Sequence, residues 1–326
     1  MHVIEANNVR DALVLTASYL LAHGQFEDTR IGSALVAQEP VCIHYLNPKQ
    51  HVLLNPIRDA NPFFHLMEAM WMLAGRDDGA FLDFYVKDFS KRFGKDGVIM
   101  DSYGQRWRHG LHYDQLNEVV NQLRKDPTTR QVVLQMWGAG RDDLRSYSSK
   151  PCNLIASYRI LFDRLNMTVF NRSNDLIWGA CGANAVHFPI LQEYLAGKIG
   201  VELGEYWQVT NNLHMYSDVW EKHPGFNDVN PEEYGTTMPL IENPLKFDED
   251  LAIVMRIIDE LHNETFEVDL GFVHNPFLRD VVLPMATAHQ AYKNKDFEKA
   301  FEYMDVVAAD DWKRAGREWL ERRHAG

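Results

Sequence analysis

The stretch that decides the fold runs from Lys150 to Gly182, K-P-C-N-L-I-A-S-Y-R-I-L-F-D-R-L-N-M-T-V-F-N-R-S-N-D-L-I-W-G-A-C-G. A Pro-Cys pair precedes one alternating apolar run, a polar turn follows at Asp163 to Asn166, and a second run ends in Asn-Arg-Ser-Asn-Asp. This period-2 pattern predicts the two strands of a half-buried hairpin. Cys152 then stands at the mouth of one strand, with Arg172 and Ser173 at the end of its neighbour. A thiol, a guanidinium and a hydroxyl at one end of a sheet form a nucleophile beside an anion clamp. Singly, each has a plainer reading: a lone cysteine is more often a small buried hydrophobe, and an Arg-Ser pair an ordinary solvated turn. The weight lies in the ordered set, P-C-N at 151–153, N-R-S-N-D-x-x-x-G at 171–179 and N-L-H-M-Y at 212–216.

Composition bounds the answer. A chain of 326 residues can bury a full core, and 46% apolar with 24% charged residues is ordinary for a globular protein. The net charge of −13 argues against a nucleic-acid binder, which needs a basic surface. An anionic substrate would therefore require a local cluster of arginines. Cys42, Cys152 and Cys181 are too few and too scattered for a disulfide framework or a metal site, so no metal is expected. The N-terminus lacks signal-peptide character, and no apolar run reaches membrane-spanning length; a reducing, cytoplasmic setting is expected. No G-x-S-x-G elbow or Ser-His-Asp constellation supports a hydrolase.

Outward from the hairpin, helical spacing marks Val9 to His23, and Asn61-Pro62 opens a helix through Ala74 that Gly75 closes. Glu68 is an acid inside that mostly apolar helix. Asp28, Thr29 and Gly32 mark a turn around Arg30, ahead of a strand-like run at Ser33 to Ala37. A helix from Leu116 ends at Asp126-Pro127, and Thr129-Arg130-Gln131 leads into a strand from Val132 to Trp137. Residues 138–150 read as a loop, Val186 to about Lys198 as a helix, and Glu205 to Tyr216 as one strand. Residues 223–247 are rich in Pro, Gly, Asn and Asp and read as a loop or insertion. A helix from Asp248 to Asn263 and two further amphipathic helices follow.

The ordered motifs resemble the thymidylate synthase superfamily, which includes the phage deoxycytidylate hydroxymethylases; the likeness runs from Arg30 to about Tyr216. It implies an α+β fold with one large mixed sheet, helices on one face and a homodimer interface on the other. The chain is then one domain over 1–326, with an insertion at about 223–247 and a helical extension at about 248–326. The resemblance makes Cys152 the nucleophile, attacking carbon 6 of a pyrimidine. M-E-A-M-W-M-L matches the family's H-E-L-L-W-F-L helix, which gives Glu68 the general acid/base role. D-S-Y-G-Q-R-W-R places Tyr103 close to the nucleophile. Arg30, Arg172 and Ser173 are the expected phosphate grip, Asp175 a further substrate contact, and His214 and Tyr216 the sugar contacts. Arg130 is expected to reach the phosphate of a second subunit, although the arginine pair usual there is Arg130-Gln131 in this chain.

The co-substrate implied is 5,10-methylenetetrahydrofolate. Three departures favour a hydroxymethyl over a methyl product: Asn153 replaces the His that follows Pro-Cys in methylating enzymes, the N-R-S-N-D wording sits closer to the hydroxymethylases, and a basic helix stands where those enzymes carry a short apolar tail. The base reader is an Asn for uracil and an Asp for cytosine. The W-G-A-C-G-A-N segment is one residue longer than the family pattern, so the reader is Ala183, or Asn184 after a local bulge. Cytidylate is favoured over uridylate. The alternatives are a thymidylate synthase proper and a nucleotide-binding homologue without catalysis.

Overall fold

Phe162 and Asp163 adopt φ of 52° and 60°, the paired left-handed residues of a two-residue hairpin turn. They join the strand Asn153–Leu161 to the strand Arg164–Asn171, with Leu161 facing Arg164 and Asn153 facing Asn171. The turn therefore shares only Asp163 with the Asp163–Asn166 cluster expected to form it. Arg164 and Asn166 are ladder residues on the open face, while Leu165, Met167 and Val169 are buried.

The computed structural model describes residues 1–30, 32–142, 144, 150–222, 224–225, 234–263 and 273–325. In chain order the strands are β1 (His2–Ala6), β2 (Gln25–Thr29), β3 (Gly32–Val36), β4 (Val41–Tyr45), β5 (Val133–Gln135), β6 (Asn153–Leu161), β7 (Arg164–Asn171), β8 (Asn174–Asp175), β9 (Glu202–Thr210) and β10 (Leu213–Tyr216). The α-helices are α1 (Val9–His23), α2 (Pro62–Leu73), α3 (Gly79–Tyr85), α4 (Phe89–Phe93), α5 (Tyr103–Arg108), α6 (Gln115–Lys125), α7 (Asn184–Ile199), α8 (Ser217–Lys222), α9 (Phe247–His262), α10 (Leu283–Lys293), α11 (Phe297–Asp305) and α12 (Asp310–His324). Two compact units result, one of Met1–Ala60 and Gln115–Glu233, the other of Asn61–Asp114 and Tyr234–Gly326.

The first unit holds a mixed six-stranded sheet in the order β1-β4-β9-β7-β6-β5 and a four-stranded sheet in the order β2-β3-β10-β8. Helices α1, α6 and α7 pack on the six-stranded sheet, on the side where Leu165, Met167, Val169 and Tyr206 are buried. The segment read as one strand from Glu205 to Tyr216 is two strands in different sheets, because the chain leaves one ladder at Asn211–Asn212 and joins β3 and β8 in the other. In the second unit α2 is capped by the Asn61 side chain at Phe64 N, 3.1 Å, and left at Gly75 with φ 73°. Among the described residues three α-helices, where two were expected, follow α9; α12 buries Trp312, Trp319 and Leu320 and packs on α2. Part of the expected insertion, including His223 and 226–233, and part of the 138–150 loop lie outside the described residues; residues 234–246 form no helix or strand.

Candidate active site

A β-bulge aims the start of β6. The pairing of β6 with β7 slips between Asn153 and Ile155, and both Met136 N and Trp137 N donate to Leu154 O. The slip shifts the side-chain phase. Asn153 is thereby buried, 1% exposed, while Cys152 one residue earlier is half-buried and free of any disulfide. Arg172 N donates to Cys152 O at 2.9 Å, so the hairpin mouth lies where the sequence put it. The Arg172 guanidinium donates to Pro151 O at 2.9 Å and Lys150 O at 2.8 Å. Among the described residues these are its two bonds; its remaining N–H groups are available for an anion.

Arg30, in the turn between β2 and β3, lines a cavity of about 520 Å³ with Thr29, Ser173, Asn212, His214 and Tyr216. The parallel pairing of β10 with β8 puts His214 opposite Asp175. Both oxygens near His214 Nδ1 belong to Asn212, the carbonyl at 3.4 Å and Oδ1 at 3.0 Å. Since the carbonyl can only accept, Nδ1 is the donor in this pairing. Burial raises the Asp175 carboxyl pKa, opposed by the Trp178 N–H and by His214. Burial, then Asp175, raise the Tyr216 phenol; Thr29 and Arg30 oppose and Cys152 adds to it, which sets the thiol within electrostatic reach of the cavity.

The stretch between Gly179 and Asn184, read from sequence as one residue longer than the family pattern, lies in a π-helical segment, Leu176–Ala183, with the backbone kinked at Gly182. Such segments host single insertions and cluster at functional sites. Asp175 Oδ1 caps the segment at Trp178 N, 2.6 Å. Arg58 donates to Ile177 O and lies 4.3 Å from the Trp178 ring. After this segment it is Asn184 that turns inward, 7% exposed. Its Oδ1 accepts from Asn153 Nδ2 at 3.2 Å, and its Nδ2 donates to Asn153 Oδ1 at 3.3 Å and Asn174 Oδ1 at 3.1 Å.

Cys152, Arg30, Arg172, Ser173, Asp175, Asn184, His214 and Tyr216 all belong to the first unit. Arg130 is exposed there, between α6 and the edge strand β5. Glu68 and Tyr103 belong to the second unit. Glu68 is half-buried on α2 with Oε2 shielded from solvent, and Tyr103 opens α5 behind a Ser102 cap. Among the described residues no group of three or more His, Cys, Asp or Glu could hold a metal, and no helix is long and apolar enough to cross a membrane. Sequence reasoning did not find Asn174, Gln208, Arg58 or the pairing of Asn153 with Asn184.

The first unit thus holds a half-buried thiol at a hairpin mouth and a cavity lined by arginine, serine, histidine and tyrosine. The chain belongs to the thymidylate synthase family, whose model, described as "Thymidylate synthase", matches residues 16–238. That family carries out folate-dependent one-carbon transfer to carbon 5 of pyrimidine nucleotides with methylenetetrahydrofolate as co-substrate. The deoxyuridylate hydroxymethyltransferase of Pseudomonas phage M6 is 41% identical over 100% of this chain and 95% of its own. The deoxyuridylate hydroxymethyltransferase of Bacillus phage SP01 is 37% identical over 57% of this chain and 52% of its own. A thymidylate synthase of Symbiobacterium thermophilum is 29% identical over 49% of this chain and 62% of its own.

Proposed function

We propose that this protein hydroxymethylates carbon 5 of deoxyuridine 5′-monophosphate. The observation that carries the reaction class is the half-buried Cys152 thiol, whose backbone is bonded to that of Arg172, the chain neighbour of Ser173 in the Arg30–Ser173–His214–Tyr216 cavity. The full-length likeness to a deoxyuridylate hydroxymethyltransferase favours water over hydride as the final addition, as does Asn153 after Pro-Cys. Uracil replaces the cytosine favoured from sequence: the relatives are named for deoxyuridylate, and the residue turned inward after the π-helical segment is an Asn.

In this reading Arg30, Arg172 and Ser173 hold the phosphate through charge-assisted hydrogen bonds, and Asp175, His214 and Tyr216 hold the sugar. The Arg172 charge favours the thiolate of Cys152. Addition of that sulfur to carbon 6 makes an enolate reactive at carbon 5. Glu68, assigned through its helix motif, moves the proton at carbon 5, and Tyr103 supplies a hydrogen bond. The co-substrate 5,10-methylenetetrahydrofolate supplies the carbon. The Trp178 ring, 55% exposed, suits a flat pterin.

A homodimer is part of the proposal. Ser157, Arg159, Thr168, Trp207 and Val209 line a hollow of about 970 Å³, and the alternation of β6, β7 and β9 turns them away from the helices. Arg130 would reach the phosphate bound by a second copy; sedimentation as a monomer alone would remove it from the site. The test of the reaction is incubation with dUMP, dCMP, UMP and CMP plus methylenetetrahydrofolate. A CH2O mass gain on dUMP without dihydrofolate supports the proposal; a CH2 gain with dihydrofolate makes the protein a thymidylate synthase. If every nucleotide is unchanged, the chain is a non-catalytic homologue.

A further inference from the structure

Behind Asn184 runs a buried chain of amides whose polarity is fixed at its far end. Gln208, on β9 and fully buried, donates from Nε2 to Ala180 O at 3.1 Å and to the Tyr206 hydroxyl at 3.1 Å. A backbone carbonyl only accepts, so the Gln208 atom facing Ala180 must be the nitrogen. Its Oε1 must then face Asn174, whose Nδ2 donates to it at 2.6 Å. Asn174 is left presenting Oδ1, which accepts from Asn184 Nδ2 at 3.1 Å. Asn153 closes the other side with reciprocal bonds at 3.2 and 3.3 Å. Both Nδ2 hydrogens of Asn184 are thus committed, and its spare capacity is a lone pair on Oδ1.

We propose that Gln208 and Asn174 are positioning residues that lock the amide of Asn184 with its oxygen toward the substrate base, and so select uracil over cytosine. A free Asn reads either base by flipping, because it carries a donor and an acceptor. Here a flip would bring Asn184 Oδ1 against Asn174 Oδ1, and undoing that would require turning Gln208 oxygen-first toward Ala180 O. The presented lone pair matches the N3–H of uracil and opposes the N3 lone pair of cytosine. Gly179 belongs to the device: a Cβ there would stand 2.2 Å from Asn174 Oδ1. The inference rests on Asn184 reading the base, as proposed above.

The test is equilibrium binding of dUMP and dCMP, without folate, to the wild-type protein, Gln208→Met and Gln208→Glu, with melting temperatures as a check on folding. Met fills the space without polarity. Glu, held neutral by burial, donates its O–H to Ala180 and accepts from Asn174, which restores the wild-type sense. The wild type should prefer dUMP, Q208M should lose at least tenfold of that preference, and Q208E should retain it. Equal preference in all three proteins, an equal loss for both nucleotides in Q208M, or a wild type preferring dCMP overturns the proposal. Should Q208M fail to fold, hydrogen exchange in the wild type decides. The Asn184 side-chain N–H signals, identified by their absence in Asn184→Asp, must exchange slowly with D2O; exchange at the rate of an exposed amide overturns the lock. Because folate is absent, failure of the hydroxymethylation reading appears as dUMP preference without product. Failure of the relay alone appears as product with an unaltered preference in Q208M.

Discussion

Asn184→Asp is the substitution whose consequences the amide chain fixes most closely. The wild-type Nδ2 makes two bonds, to Asn153 Oδ1 and Asn174 Oδ1. A neutral Asp has one O–H and can satisfy one of them; the other acceptor is left opposite an oxygen. A buried polar group without its partner costs about 1–3 kcal/mol. Ionising the carboxyl would turn a second oxygen lone pair on Asn174, so the folded protein holds this Asp protonated and its pKa rises above the unfolded value near 3.9. The unfolded chain then carries fewer protons at neutral pH than the folded one. Stability is therefore retained below the unfolded pKa and lost as pH rises toward the folded one, by up to about 1.4 kcal/mol per pH unit. Urea unfolding of wild type and N184D at pH 5 and pH 7.5 measures this, and the gap between them should widen at the higher pH. The same variant should lose preference for dUMP over dCMP. A gap that stays constant or narrows with pH refutes the polarity argument, and an unchanged base preference removes Asn184 from the reader role.

Arg30→Ala should raise KM for the nucleotide at least tenfold with a smaller change in kcat, since it removes a charged phosphate contact; steady-state kinetics with dUMP checks it, and an unchanged KM removes Arg30 from the grip. Asp175→Asn keeps an oxygen to cap Trp178 N but removes a carboxyl whose folded pKa is raised by burial. Its melting temperature should exceed that of the wild type at pH 8, with the difference closing toward pH 4. Burial holds His51 and His262 down at about 4 and His289 at about 3, so the unfolded chain takes up protons that the folded chain refuses. The stability these three groups contribute should be full above pH 6.5 and fall as pH drops toward 4, on the order of 1.4 kcal/mol per pH unit for each imidazole; His289→Phe should make that slope shallower.

Much of the fold was legible because its signals are local. The alternation of Leu154 to Leu161 and of Leu165 to Asn171 gave the hairpin, and Asn61-Pro62 with Gly75 gave α2. Where the local signal was ambiguous the outcome differed. The Asp163–Asn166 cluster looked like a turn, yet the two-residue geometry at Phe162–Asp163 makes Arg164 and Asn166 strand residues. Glu205 to Tyr216 read as one run because the break at Asn211–Asn212 depends on which sheet each half can join. β1 and β4 were passed over: Val41–Tyr45 is buried on both faces apart from His44, so it shows no alternation. The amide chain was beyond reach from sequence, because its members lie 10, 31 and 34 positions apart. Asn153 was noticed as a departure from the methylating pattern, but its partner is set by a bulge and a π-helical segment that only the fold defines.

The claim on which the account turns is that the Cys152 sulfur adds to carbon 6 of the pyrimidine. Release of tritium from [5-3H]dUMP, with methylenetetrahydrofolate present, reads that step before any choice of product. Wild-type protein should release it and Cys152→Ala, folded to the same melting temperature, should not; release that survives the loss of the thiol would contradict covalent catalysis by this residue.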